Sequence, residues 1–399
     1  MPDTTWLSAP PLTGGRTSNL RVAVMHEWLA SYAGSERVVR ELLAIYPQAD
    51  LFGVVDFLND EDRGRLFGKT AKTTFIQSLP FARTKFRGYL PLMPLAVEQL
   101  DLSGYDLVIS SNHAVAKGVL TGPDQIHICY CHTPIRYAWD LQHQYLREAG
   151  YSRGIRGAFM RAVLHYIRLW DTRTAAGVDH FVSNSKYIAR RIKKTYGREA
   201  AVIHPPVDIE AFPFVAEKGE AYVAASRMVP YKRMDLVVAA FAQMPDRQLI
   251  VLGDGPEMAK VRALAGPNVT LLGYPSDKML RENLQRARAL VFAGEEDFGI
   301  LPVEAQACGT PVIAYGRGGV LDSILAPGNP AGPPTGVFFH EQSTAAIVAA
   351  VREFEAMKID PQACRAQAER FSAARFRDEF AAFADAVIAG QEQSGRPND

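Results

Sequence analysis

Two successive rounds of parallel α/β architecture are what this sequence predicts, and three observations carry the expectation. Short, uniformly apolar runs recur along the chain, as buried parallel strands do. Stretches of helical period separate many of them, which favours a doubly wound sheet over hairpins. The proline-punctuated stretch His204–Phe214 (HPPVDIEAFPF) then divides the pattern in two. At 399 residues the chain exceeds one typical core of ~100–200 residues, so two globular domains are expected.

In order, Arg21–Met25 (RVAVM) reads as the first strand, followed by the loop HEWLASYAGSE and a helix over Arg37–Tyr46. Strands follow at Leu51–Val55, Leu107–Ser110, Ile126–Cys131 and His180–Ser183. After the divider they recur at Ala221–Ala225, Gln248–Leu252, Val269–Leu272, Ala289–Phe292, Val312–Ala314 and Gly336–Phe338. Helices are expected between them at Lys232–Gln243, Gly255–Ala265 and Ser276–Arg288, and an amphipathic helix at Ala373–Ala389 closes the pattern. Two such halves facing one another would leave a cleft at the carboxyl ends of their strands, where ligands of these sheets bind.

Composition excludes several classes. With 44 basic and 43 acidic side chains the net charge is +1, which argues against a nucleic-acid binder driven by bulk charge. Cys129, Cys131, Cys308 and Cys364 lack the spacing of a disulfide framework and sit in apolar contexts, as buried thiols of a reducing, cytoplasmic compartment would. No second ligand pair stands at zinc spacing from Cys129, Cys131 and His132, so no metal site is expected. No apolar run approaches the ~20 residues of a membrane span. Residues 1–19, rich in Pro, Gly, Thr and Ser, lack the regions of a signal peptide and are expected to be disordered.

Phe292–Gly319 (FAGEEDFGILPVEAQACGTPVIAYGRGG) concentrates the chemistry. Pro302 suits the first position of a helix and Gly309 the residue past its end, so a short helix over Pro302–Cys308 is predicted. The amides around Phe298, Gly299, Ile300 and Leu301 would face forward with roughly half a positive charge behind them, which suits an anion. Glu296 then lies in the loop and Glu304 one turn inside the helix, both able to face one cleft; surface acids and a capping charge are the plain alternatives. Upstream, Arg227 and Lys232 in ASRMVPYKRMD stand between a strand end and a helix start. Cations there oppose the helix dipole, and a bound phosphate gives them a reason to be present.

Charge is lopsided elsewhere. Between Asp62 and Glu98 stand seven Lys or Arg, among them Arg83, Lys85 and Arg87, with no acid and with Phe67, Phe75, Phe81, Phe86 and Tyr89 interleaved. Residues 147–173 show a similar mix, with Arg153, Arg156 and Arg173 around Phe159 and Tyr166. Such interleaving suits an anionic membrane surface or a lipid-phosphate substrate; a solvated helical face over an ordinary core suits it equally.

From RVAVMHEWL to the last helix the chain resembles the retaining glycosyltransferases of family 4, which have the two-domain GT-B fold. The resemblance is carried by EEDFGILPVE (Glu296, Glu304) with ACGTPVIA, by SRMVPYKRMDLVV (Arg227, Lys232), and by LGDGPE, LLGYPSDKML and SNSKYIARRIKKTYG. HEWL and CYCHTPIRYAWD resemble, within the family, the bacterial polysaccharide and O-antigen mannosyltransferases. One departure is visible: the first glycine-rich loop, often GGAE, reads AGSE, so only Gly34 keeps a close backbone approach.

The resemblance implies two Rossmann-like domains, 20–205 for the acceptor and 206–372 for the donor, with a crossover helix at 373–390 returning to the first. It implies a nucleotide-diphosphate sugar as donor, GDP-mannose in the narrower identification, and a lipid-linked saccharide or polysaccharide acceptor. Glu304 would hold the ribose and the backbone around Tyr274 and Pro275 the base. Arg227 and Lys232 would neutralise the diphosphate, Glu296 with the amides of Phe298–Leu301 would orient the sugar, and His132 would reach the sugar from the first domain. No cofactor or metal would be required. An anionic membrane surface is an expected partner, with the protein peripheral on the inner face of the cytoplasmic membrane. A UDP-sugar donor, or a non-catalytic nucleotide-sugar-binding subunit, is the competing expectation.

Overall fold

The computed structural model describes residues 20–394; the disorder expected of residues 1–19 lies outside the described residues. The chain divides into two compact units, one running up to His204 and resuming at Phe376, the other Pro205–Arg375. Each unit is a parallel sheet covered by helices.

The first sheet comprises β1 (Val22–Leu29), β2 (Asp50–Asp56), β3 (Lys72–Thr73), β4 (Leu107–Asn112), β5 (Ile126–Cys131), β6 (His180–Ser183) and β7 (Ala200–Val202). Their order is β3-β2-β1-β4-β5-β6-β7, and every pairing is parallel. The pleat sends alternate residues to opposite faces: Val24, Ile109 and Ile128 join one core, Ala23, Met25 and Val108 another. Because both faces are covered, these strands read as continuous apolar runs. The edge strands β3 and β7 were not anticipated, since two and three residues at a sheet margin leave too little pattern to see.

The second sheet comprises β8 (Tyr222–Ala225), β9 (Leu249–Leu252), β10 (Val269–Leu271), β11 (Leu290–Phe292), β12 (Val312–Tyr315) and β13 (Gly336–Phe339), ordered β10-β9-β8-β11-β12-β13 and again parallel. Ala224, Val251 and Ile313 pack on one face and Val223, Leu252 and Ala314 on the other. The predicted helix over Lys232–Gln243 is shorter than expected. Pro230–Lys232 forms a 3-10 turn, Arg233 takes a left-handed conformation at φ 54°, and the helix proper spans Met234–Ala242.

The final helix, Ala373–Ser394, places Phe376, Phe380, Ala384 and Ile388 in the core of the first unit. Their spacing of four keeps one face inward. Phe376 packs edge-on against Tyr130 of β5 at 5.7 Å between ring centroids.

Two sets of buried polar groups make the first unit's stability specific. Lys117 and Asp171 are fully buried as an ion pair; Thr174 accepts from the lysine at 3.1 Å, while Trp139 and Tyr196 donate to Asp171 at 2.7 and 2.9 Å. The pair ties the chain after β4 to the Gly154–Ala175 and Lys186–Tyr196 helices. Lys117→Met strands a buried carboxylate and is expected to lower stability by about 3–5 kcal/mol, whereas Lys117→Met with Asp171→Leu recovers much of the loss; denaturant unfolding measures both.

Burial also pushes His113 below the ordinary histidine value, His127 down to about 4, and His132 well below, where nearby His113 and His26 add to the effect. The unfolded chain therefore binds more protons than the folded one as pH falls below ~6.5. Stability is expected to drop on acidification from that point toward pH 4, by up to about 1.4 kcal/mol per pH unit for each histidine still neutral when folded. Denaturant midpoints at pH 7.5, 6 and 5 check this, and His127→Gln should flatten the slope.

Candidate functional site

Strand order in the second sheet reverses between β8 and β11, with β9 and β10 lying to one side and β12 and β13 to the other. Loops leaving the carboxyl ends of two such strands diverge, which opens the crevice where parallel sheets bind ligands. Arg227 and Lys232 follow β8, and Glu296 follows β11. The structure thus brings these three residues together at that point.

Glycines set how closely the loops approach. A Cβ on Gly253 would lie 1.8 Å from the Ser226 carbonyl oxygen, and one on Gly255 2.7 Å from that of Met228; both residues have positive φ, 135° and 150°. Side chains are excluded there, so the LGDGPE loop clamps the backbone on either side of Arg227. Met228 N–H donates to the Asp254 carbonyl at 2.8 Å and Glu257 N–H to that of Met228 at 3.0 Å. Arg227 is held in place while its side chain stays exposed, with Nη2 donating to the Tyr231 hydroxyl at 3.2 Å.

Gly318 and Gly319 do the same for Glu296. A Cβ on either would come within 2.4 Å of the Glu296 or Asp297 carbonyl oxygen. Gly318 forms a parallel bridge with Glu296, and Gly319 N–H donates to the Glu296 carbonyl at 2.8 Å. The half-buried side chains of Lys232 and Glu296 are ion-paired, with the ammonium 5.3 Å from the Tyr231 ring centroid. A charge-assisted hydrogen bond of this kind contributes about 1.5–3 kcal/mol.

The helix after Glu296 spans Ile300–Ala307, so the expectation that Pro302 opens it is corrected. Pro302 is the third helical residue, still within the turn whose N–H groups have no intrahelical acceptor, and its ring therefore removes no helical bond. Gly299 is the true N-cap, at φ 87° and ψ 77°. Its left-handed geometry turns the chain from Phe298 so that the amides of Ile300 and Leu301 head the helix. At the other end Gly309, at φ 80°, donates to Gln306 at 2.8 Å, and Thr310 donates to Ala305 at 2.9 Å, closing the helix as a Schellman motif. Glu304 is the fifth helical residue and only 4 % exposed, a more enclosed position than the sequence suggested. Tyr274 and Pro275 lie in the loop after β10, Tyr274 exposed, and Gly273 accepts from Gly253 N–H at 2.7 Å, which joins that loop to the clamp around Arg227.

In the first unit, Gly34 is the first residue of the Gly34–Ile45 helix, and the departure at Ala33 is harmless to the backbone: Ala33 is an exposed N-cap at φ −138°. His132 follows β5, its N–H donating to Asn112 at 2.8 Å and its carbonyl accepting from Asn184 at 3.0 Å. Its Nε2 lies 2.9 Å from Ser111 Oγ, which lies 3.1 Å from His26 Nδ1, and His26 Nε2 lies 3.2 Å from Glu36 Oε1. Burial raises the Glu36 carboxyl, but its hydrogen bond to His26 and that ring's charge outweigh this and lower it overall. This buried chain fixes the plane of the His132 imidazole, and sequence reasoning missed it. The only signal was polarity at strand ends, in HEW and in SSNH, where β1 and β4 lie side by side. Glu27, of the same HEWL segment, is structural: its buried carboxylate accepts from the amides of His113, Ala114, Val115 and Ala116 at 2.7–3.1 Å.

Residues 32–211 match the family model Glycosyltransferase Family 4, and residues 208–371 match Glycosyl transferases group 1. Over 178 residues the chain is 30% identical to the GDP-mannose-dependent monoacylated alpha-(1-6)-phosphatidylinositol monomannoside mannosyltransferase of Corynebacterium glutamicum, covering 37% of this chain and 47% of that protein. Over 175 residues it is 34% identical to the D-inositol 3-phosphate glycosyltransferase of Mycobacterium tuberculosis, covering 36% and 35%. The chain thus spans about half or less of the length of the curated relatives it matches. Among solved structures, sucrose-phosphate synthase from Thermosynechococcus elongatus superposes with a TM-score of 0.66 at 19% identity, covering 93% of this chain and all of that one, a likeness of fold. With both halves matched and the parallel-sheet architecture agreeing, the chain belongs to the family 4 glycosyltransferases of GT-B fold.

Proposed function

We propose that this protein is a retaining glycosyltransferase that moves mannose from GDP-mannose onto a lipid-linked or polysaccharide acceptor. One observation carries the reading: Arg227, Lys232, Glu296 and the N-terminus of the Ile300–Ala307 helix converge on the switch point of the second sheet. The mannose and lipid parts draw support from the Corynebacterium relative, whose name specifies GDP-mannose and a phosphatidylinositol mannoside.

Breaking the bond between sugar and phosphate leaves extra negative charge on the departing diphosphate. Fixed positive groups aimed at that charge lower the barrier without reorganising. Arg227 offers a guanidinium fork, Lys232 a point charge, and the helix its leading amides, so no metal is required on this reading. Glu296, next to Lys232, orients the transferred sugar; Glu304 holds the ribose, with the Tyr274–Pro275 backbone against the base. His132 lies on the first unit; burial with nearby His113 and His26 holds its imidazole below the ordinary histidine value, so a sugar within its reach would meet a hydrogen-bonding ring and not a charge. The acceptor hydroxyl attacks from the face the diphosphate leaves, and a diphosphate oxygen takes its proton; a covalent route through an enzyme carboxylate is the competing mechanism.

Incubation with a panel of nucleotide sugars, followed by product analysis, tests the donor. GDP-mannose should be hydrolysed or transferred. Turnover of a UDP-sugar alone would sink the mannose assignment, and nucleotide binding without turnover of any donor would favour a non-catalytic subunit. Site variants separate the two acids. Glu296→Gln should lower kcat about 10²–10³-fold with donor affinity little changed, and Glu304→Gln should raise the donor KM about tenfold. Since Lys232 and Glu296 are ion-paired, Lys232→Met with Glu296→Gln should cost less than the product of the single effects. Additive losses, or equal effects of the two glutamates on turnover, would undo this division.

A further inference from the structure

The Gly154–Ala175 helix buries Val163, Leu164, Ile167 and Trp170. The face beside it is the unusual one. Ile155 is 91% exposed, Phe159 64%, Tyr166 45% and Leu169 62%, and exposed Ala162 completes the row. The steps of four, three, four and three residues align these side chains along one side of the helix, over about 21 Å at ~1.5 Å per residue. Isolated exposed apolar residues need no explanation, but a continuous stripe on a helix does.

Charge around the stripe selects its occupant. Arg153, Arg156 and His165 are exposed beside it, while Arg173, also exposed, is ion-paired with Glu98. The one acid on the helix, Asp171, is buried against Lys117. An anionic bilayer satisfies both parts at once, apolar side chains at the acyl boundary and guanidinium groups among the headgroups. The neighbouring segment agrees: Leu90 packs under this helix, and nearby Leu92 and Leu95 are exposed.

We propose that the Ile155–Leu169 face docks the first unit on an anionic lipid surface, the helix lying in the plane of the interface. The basic segment with Arg83, Lys85 and Arg87 also exposes an apolar ring, Phe81 at 74%, with Lys85 5.5 Å from its centroid, and is left unaltered in the test. This deepens the lipid-linked-acceptor reading. The test contains no sugar nucleotide, so failure to bind lipid and failure to transfer sugar are separate results.

The full chain is floated with phosphatidylcholine vesicles, with and without phosphatidylglycerol. The wild type should float with the phosphatidylglycerol vesicles and far less without them. Phe159→Glu and Ile155→Glu should each reduce recovery about tenfold or more, with unchanged circular dichroism and melting, while Phe159→Trp retains binding. A wild type that stays at the bottom of the gradient with anionic vesicles overturns the proposal. So does equal flotation of Phe159→Glu, or a wild-type dimer that Phe159→Glu dissolves while flotation is unchanged.

Discussion

The ion pair between Lys232 and Glu296 is the contact on which the second unit's site depends, and it is made by residues 64 positions apart on loops that glycines bring together. Lys232 ends a 3-10 turn held against β11's extension, where Gly294 lets the backbones approach: a Cβ there would lie 3.4 Å from Lys232 Cα. Glu296 is pinned from the other side by Gly318 and Gly319. Arg227 is fixed in the same way by Gly253 and Gly255. The charges are therefore placed by backbone packing and not by their own side-chain preferences, which is what a preorganised electrostatic site needs.

On the proposed function the pair has a second meaning. Lys232 and Glu296 neutralise one another, which keeps two opposite charges from sitting uncompensated in a half-buried place. On that proposal a diphosphate would supply Lys232 with another anion and release Glu296 toward the sugar, linking binding and orientation through one exchange of partners. The first unit uses a different device. His132 carries no charge at neutral pH because burial opposes it, and its orientation is imposed by the buried chain through Ser111 and His26 to Glu36.

Much of the fold was legible because both faces of each sheet are covered. Ile126–Cys131 and His180–Ser183 were read at their observed bounds, being apolar runs with turn residues beyond them. The family reading was borne out by the matches to both halves. Pro302 misled by two residues because its N-terminal preference extends over the whole first turn, while the left-handed Gly299 that starts the helix looked like one glycine among many. Gly318 and Gly319 hold Glu296's backbone, a contact no local pattern announces. The chain from Glu36 to His132 was illegible for the same reason, since Ser111 and His26 lie 85 positions apart and meet only because β1 and β4 are neighbours.

Calorimetric titration with GDP and UDP, each against its own nucleoside, tests most directly whether the second unit's charges are built for a diphosphate. At least one diphosphate should bind, and its nucleoside should bind about a hundredfold more weakly, a difference of about 2.7 kcal/mol. A nucleoside that binds as tightly as its diphosphate, or failure of both diphosphates to bind, would contradict the assignment of Arg227, Lys232 and the Ile300–Ala307 helix to the phosphates.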